Sequence, residues 1–271
     1  MATLLSDLAA TIALRLERER ERFASEWRSA RPVRHFVVDD LLGKDQLSSL
    51  HSAMPDPREL ALKSSLRERK RVGVDIRRYA EPVGAALFAF QDPSVVAAVS
   101  SITKLAGLEA DPTLYASGIS AMGEGDFLNP HLDNSHDGDQ RRYRALNLLL
   151  YVTPGWSSSF GGNLELWEPG PKSPVEIESR CNRLVVMETG PRSWHSVNAV
   201  RAQATRWCVS NYYFSPTSVS GSEYRHVTTF AGRPEETWKR VALWFDGFVL
   251  NALGRAFPSL LRRTKHRLKD A

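Results

Sequence analysis

"ALNLLLYV", Ala145 to Val152, is the stretch whose reading decides the fold. Successive side chains of a strand point to opposite faces. Leu146, Leu148, Leu150 and Val152 then share one wholly aliphatic face, which is expected to pack against helices. Ala145, Asn147, Leu149 and Tyr151 share the other. A strand covered on both sides is usually apolar on both. Here the second face carries an amide and a phenol, and buried polar groups need partners. A structural hydrogen-bond network would satisfy them. A ligand pocket inside a barrel is the preferred reading.

The texture around this strand is β-rich. Seven short apolar runs lie between Gly, Pro, Asn and Asp turns: "TLYASGISAM", "RALNLLLYV", "NLELWE", "PVEIES", "NRLVVMET", "WHSVNAV" and "TRWCVSNYYF". That spacing predicts a sandwich or barrel. Helical periodicity dominates on either side. Residues 1–30 read as helix up to Pro32, "HFVVDDLL" as a first strand, and "GKDQLSSLHSAM" as a turn into a helix. "PVGAALFAF" and "PSVVAAVSSITKLAG" read as two more helices, and helical periodicity returns from Pro234. The expected layout is a single domain over 1–271, a β-barrel-like core with helices packed outside it. Residues 1–114 form a helical region with the first strand, 115–215 the core, and 216–271 a C-terminal helical extension.

At 271 residues the chain can bury a substantial core. No apolar run approaches the length of a transmembrane helix. The N-terminus reads as an amphipathic helix instead of a signal peptide. Two cysteines, Cys181 and Cys208, make no disulfide framework, which fits a reducing cytoplasm. The formal charge is +5. Much of the excess sits in runs near Arg67 to Arg71, at Arg77 and Arg78, and in "LLRRTKHRLK". These are expected to be solvated helix faces, with an anionic partner such as a membrane surface as the sharper alternative.

"NPHLDNSHDGD", Asn129 to Asp139, holds the chemistry. A lone His-x-Asp is a weak signal. On an extended strand, however, His131 and Asp133 point the same way and could share a cation. Two histidines and one carboxylate form the facial triad of non-haem Fe(II) oxygenases. The best second histidine is His195, which opens a run with β character. His51 lies on a helix, His136 and His226 on expected loops, and His266 in the basic tail. Arg206 opens the strand "RWCVSNYYF", where Arg206, Cys208, Ser210 and Tyr212 share a face. No acidic residue shares that face, and a buried arginine without a carboxylate is costly. A bound carboxylate ligand would resolve this with a bidentate pair.

Together, "HLDN", "ALNLLLYVTPGW", "FGGNLELWEP", "NRLVVMETGPRSWHSV" and "ATRWCVSNYYFS" resemble the 2-oxoglutarate/Fe(II)-dependent dioxygenases, most closely the prolyl 4-hydroxylase-like branch. The likeness is strong over residues 115–215 and faint elsewhere. It implies a mainly β fold: a double-stranded β-helix, or jelly roll, with N-terminal helices on one sheet and a C-terminal helix. It also implies a hydroxylase that consumes 2-oxoglutarate and O₂ at Fe(II), releasing succinate and CO₂. His131, Asp133 and His195 would ligate Fe(II), and these three with Arg206 would be the catalytic set. Arg206 would bind the distal carboxylate of 2-oxoglutarate. Tyr151 matches a tyrosine that donates to the same carboxylate in hypoxia-sensing relatives. Asn147 could touch co-substrate or substrate, and Leu164 matches an apolar pocket residue.

There are departures from the family pattern. The His195-to-Arg206 interval is long, so a larger turn is expected. "SAMGEGDF" lacks the aromatic of many relatives. Asp133 argues against halogenation. Tyr212 stands where the nucleic-acid demethylase branch has a second arginine, which argues against nucleic acid. The substrate class stays open: small molecule, sugar or peptidyl residue. The rival readings are a jelly roll that binds metal or carboxylate without turnover, and a metal enzyme that does not use 2-oxoglutarate. The C-terminal helix is expected to cap the barrel or a dimer partner with its basic end solvated, and peripheral membrane contact is the alternative.

Overall fold

A computed structural model describes residues 2–73, 75–169, 173–236 and 238. Five helices come from the N-terminal region: α1 (Ala2–Arg18), α2 (Arg20–Ser29), α3 (Lys44–Ser52), α4 (Glu81–Ala89) and α5 (Pro93–Thr103). Residues 1–30 therefore make two helices where one was expected. The break falls at Glu19, whose carboxylate is shared by Arg15 and Arg22. α5 shows why its bounds were readable. The Asp92 side chain accepts from the Ser94 N–H at 2.8 Å, Pro93 opens the first turn, and Lys104 ends the helix in the left-handed region.

The strands are β1 (His35–Val38), β2 (Ala61–Ser64), β3 (Glu68–Gly73), β4 (Gly118–Met122), β5 (Phe127–Leu132) and β6 (Tyr143–Tyr151), then β7 (Leu164–Trp167), β8 (Pro174–Ile177), β9 (Arg183–Glu188), β10 (His195–Val197), β11 (Arg206–Ser215) and β12 (Thr229–Phe230). They form one curled antiparallel sheet in the order β1-β9-β6-β11-β4-β3-β5-β10-β7-β8, with β2 on β3 and β12 on β5. β3 pairs with both β4 and β5, so it links the two halves of the jelly roll.

The aliphatic face of β6 behaves as expected. Leu146, Leu148, Leu150 and Val152 are buried in one core with Ile12, Leu16, Phe36 and Phe90. Tyr213 of β11 is fully buried in the same core, and its hydroxyl donates to the Phe90 carbonyl at 2.5 Å. The helices cover the outer face of the sheet; the inner face lines a cavity.

Three further expectations are corrected. The run near Arg67 to Arg71 is a sheet hairpin, β2–β3, and no helix face. Its charges hid the alternation, because Glu68, Lys70 and Val72 point into a polar cavity instead of an apolar core. Ala145 belongs to the outer core, not to the inner face of β6. Opposite β11, Tyr213 pairs with Leu146 and Phe214 with Arg144, so Ala145 is the extra residue of a bulge. The region expected as a helical extension begins, up to residue 236, as an irregular strap containing β12. The expected C-terminal helix and its basic end fall on 237 and 239–271, outside the described residues. Among the described residues no single helix is long and apolar enough to cross a membrane.

Candidate metal centre and co-substrate pocket

β5 and β10 are antiparallel neighbours, and their register sets His131 directly opposite His195. The ring centroids lie 4.1 Å apart. Asp133, two residues beyond His131, completes the group. His131 Nε2 is 3.8 Å from Asp133 Oδ1, and His195 Nε2 is 3.8 Å from Asp133 Oδ2. One donor atom from each residue lies within 4.8 Å of the others, so the three could hold a metal ion.

The tautomers follow from the backbone. His131 Nδ1 donates to the Asn129 carbonyl at 3.0 Å, and His195 Nδ1 to the Ser193 carbonyl at 2.9 Å. A carbonyl only accepts, so each Nδ1 holds a proton and each Nε2 is turned toward the centre. Burial, then the His195 imidazole, push His131 down to about 3, so it is neutral at physiological pH. Burial works against the charge of Asp133. Arg144 and the two imidazoles outweigh it and hold this carboxyl well below the usual carboxylate range. Asp133 Oδ2 is buried with no hydrogen-bond partner. Two imidazole nitrogens and one carboxylate oxygen, facing one another, suit Fe(II) with positions left open.

Arg206 sits deeper in the cavity, 3% exposed. Its Nη1 donates to the Gly162 carbonyl at 2.9 Å and to Ser179 Oγ at 3.3 Å; its Nη2 contacts Met122 Sδ at 3.0 Å. Its guanidinium lies over the Tyr151 ring, 5.2 Å from the centroid. Among the described residues no carboxylate pairs with it, and its Nε has no hydrogen-bond partner. Met122 thus stands beside Arg206 where the sequence lacked an aromatic. The "FGG" turn is shaped for this contact. Gly162 has φ +69°, and a Cβ there would press on Arg206 Cδ at 3.1 Å.

Tyr151, Asn147 and Leu164 all line the same cavity, of about 810 Å³, with the three metal-type residues and Arg206. Burial pushes the Tyr151 phenol up to about 12, so it keeps its proton to donate. Asn147 donates to the Tyr212 hydroxyl at 3.3 Å, and its Oδ1 has no partner. Ser210 and Tyr212 line the cavity too, as the alternation of β11 predicted. His131, Asp133, His195, Arg206, Tyr151, Asn147 and Leu164 therefore all reach one cavity. The long turn after His195 folds back onto the "FGG" segment, where Arg201 N–H donates to the Phe160 carbonyl at 2.8 Å.

Arg144 was not foreseen. Strict alternation puts it with Leu146 on the helix-covered face; the bulge at Ala145 turns it inward. It is 2% exposed, with Nη1 3.3 Å from Asp133 Oδ1 and its guanidinium 4.1 Å from the Tyr212 ring centroid. Its Nε and Nη2 have no hydrogen-bond partner. The strap after Tyr224 was also missed. His226 Nε2 donates to the Asp133 carbonyl at 2.5 Å, and the Phe230 ring stacks on His131 at 5.2 Å.

Residues 117–214 match the profile of the 2OG-Fe(II) oxygenase superfamily. Over 122 residues, 43% of this chain, the sequence is 29% identical to the mouse (Mus musculus) prolyl 3-hydroxylase OGFOD1. The match spans only 21% of that longer protein. In fold, the chain is similar to a Pseudomonas putida prolyl-4-hydroxylase, with TM-score 0.53 and 20% identity, covering 72% of this chain and 100% of that one. It is also similar to a Trichoplax adhaerens prolyl hydroxylase in complex with a hypoxia inducible factor peptide fragment, with TM-score 0.51 and 18% identity, covering 77% and 96%. The two histidines and the aspartate gathered on the inner face of the jelly roll thus lie within or beside the strands of the segment, residues 117–214, that matches the 2OG-Fe(II) oxygenase superfamily.

Proposed function

We propose that this protein hydroxylates a prolyl residue within a peptide, and that His131, Asp133 and His195 are its Fe(II) ligands. The observation that carries the metal and co-substrate part is the pairing of two buried deficits. Three donor atoms face one another around an unpartnered carboxylate oxygen, and a buried arginine in the same cavity lacks an anion. The prolyl part draws support from the likeness to the mouse prolyl 3-hydroxylase.

Bound Fe(II) and 2-oxoglutarate supply the oxidising chemistry, with O₂ as oxidant and succinate and CO₂ as products. The chain's own residues position and shield. The backbone carbonyls of Asn129 and Ser193 fix both imidazoles with Nε2 toward the centre. Arg206 presents a planar fork to the distal carboxylate of 2-oxoglutarate, and the protonated Tyr151 hydroxyl donates beside it. Asn147 offers an amide on the same wall, toward co-substrate or substrate. Leu164 and Leu149 make that end apolar, which keeps water from competing for these hydrogen bonds. No side chain is required to remove a proton from carbon.

The test supplies Fe(II), 2-oxoglutarate and proline-containing peptides, and follows succinate together with peptide mass. Succinate formation coupled to one added oxygen on proline is expected. Succinate without any oxidised prolyl residue would overturn the substrate part. No succinate at all would overturn the assignment of the site.

A further inference from the structure

We propose that the peptide taken by this site carries an anionic group, a carboxylate or a phosphate, close to the oxidised residue, and that Arg144, Lys70 and Arg225 receive it. This deepens the peptide-hydroxylase reading and rests on it.

The argument begins with charge. The cavity is lined by six cations, Lys63, Arg67, Lys70, Arg144, Arg206 and Arg225. Only three carboxylates line it, on Glu68, Asp133 and Asp139. Fe(II) and the 2-oxoglutarate dianion cancel one another, so loading the site leaves the cationic excess in place. Part of it is balanced locally: Glu68 pairs with Lys70 at 3.0 Å and lies 3.9 Å from Lys63.

Arg144 makes the case specific. It is more than nine-tenths buried, it lines the cavity, and two of its nitrogens have no hydrogen-bond partner. Its one ionic contact among the described residues is Asp133. In the loaded site that carboxylate is a ligand of the metal, which draws its charge away from the guanidinium. A peptide carbonyl would accept a hydrogen bond there but bring no charge. An anion answers both needs. Burial grades outward from Arg144 through the half-buried Lys70 to the exposed Arg225. Cations of graded exposure thus line the one cavity, and their field draws an anionic ligand inward.

The experiment uses the full chain loaded with Mn(II) and 2-oxoglutarate without O₂. Fluorescent peptides present proline flanked by glutamate, by glutamine, by lysine or by phosphoserine, and affinity is read by anisotropy. The glutamate or phosphoserine peptide should bind at least about tenfold tighter than the glutamine peptide, and the lysine peptide more weakly still. Which of the two anionic peptides binds tighter identifies the source of the charge. Arg144→Gln should erase the preference. Because Arg144 touches Asp133, Lys70→Gln serves as a second variant, and it should reduce the preference several-fold. Equal binding of the glutamate and glutamine peptides, no binding by any peptide, or a preference untouched in both variants would each overturn the proposal. The same set with alanine in place of proline separates the two readings. A charge preference that persists there, with no oxidised proline in the turnover assay, would leave the anion site standing and remove the prolyl substrate.

Discussion

Asp133 has two roles in this geometry, and a substitution there should show both. It faces two imidazole Nε2 atoms, and it is the ionic partner of the buried Arg144. Asp133→Asn keeps the shape while removing the charge. Fe(II) affinity should fall by at least about tenfold and succinate formation should cease. The fold should also lose roughly 3 kcal/mol, because a buried guanidinium is left without its counter-charge. Metal titration and denaturant unfolding read the two effects separately; unchanged iron content would remove Asp133 from the ligand set. Asp137, four residues on, is a structural contrast. Its side chain accepts from the Arg141 N–H at 2.9 Å and from Arg142 Nε at 2.9 Å. Burial opposes its charge, but these donors outweigh it, so its pKa lies below the usual carboxylate value. A depressed folded-state pKa gives stability that is present above the unfolded value of about 3.9 and lost as pH falls through the folded one. Asp137→Asn should therefore cost about 1.5–3 kcal/mol near neutrality, and the difference from wild type should shrink below about pH 4. A difference that stays constant down to pH 2 would refute this linkage.

At the scale of elements, the strap from Tyr224 to Arg233 acts as a clamp on the metal-side strand. β12 pairs Phe230 with His131, and the Ala231 N–H donates to the Pro130 carbonyl at 2.7 Å. The clamp is fastened by Arg233, which reaches Glu165 through two bonds of 3.1 and 2.6 Å. Glu165 also accepts from Ser196 at 2.5 Å, and Ser196 Oγ from the Trp167 indole at 2.8 Å. Arg233→Gln leaves a buried carboxylate without its cation and should cost about 3 kcal/mol. It should also speed iron loss to a chelator several-fold, since the strap shields His131. An iron release rate equal to that of wild type would make the strap a mere tether. The strap was invisible in the sequence because it has no apolar period and its contacts lie far away in the chain. The β2–β3 hairpin was hidden differently: its alternation is between charged residues, which reads as a solvated surface.

Over the whole molecule, legibility tracks regularity. The His131/Asp133 spacing, the inward Asn147 and Tyr151, and the face shared by Arg206, Cys208, Ser210 and Tyr212 all obey a period of two, and each reaches the cavity. Arg144 breaks that period through a single extra residue, and no pattern in one sequence marks the bulge. Which strands neighbour one another was also beyond local pattern: the β-like run after His195 marks it as the second histidine, but not the pairing of β5 with β10 that sets it against His131. The sheet's curl is what brings the histidines of β5 and β10 into one cavity with Arg206 of β11 and Tyr151 of β6. The central claim is that this cavity holds 2-oxoglutarate between a metal at the triad and Arg206. Calorimetric titration of 2-oxoglutarate into the Mn(II)-loaded protein without O₂ tests it most directly. Arg206→Ala should weaken binding by at least about tenfold, because a buried charge pair loses one partner at a cost of roughly 2–5 kcal/mol. Arg206→Lys should recover only part of this, offering a point charge where the ligand matches a planar fork. Mn(II) affinity should be nearly the same in all three proteins. Equal 2-oxoglutarate affinity in wild type and Arg206→Ala would contradict the account and make Arg206 a structural residue.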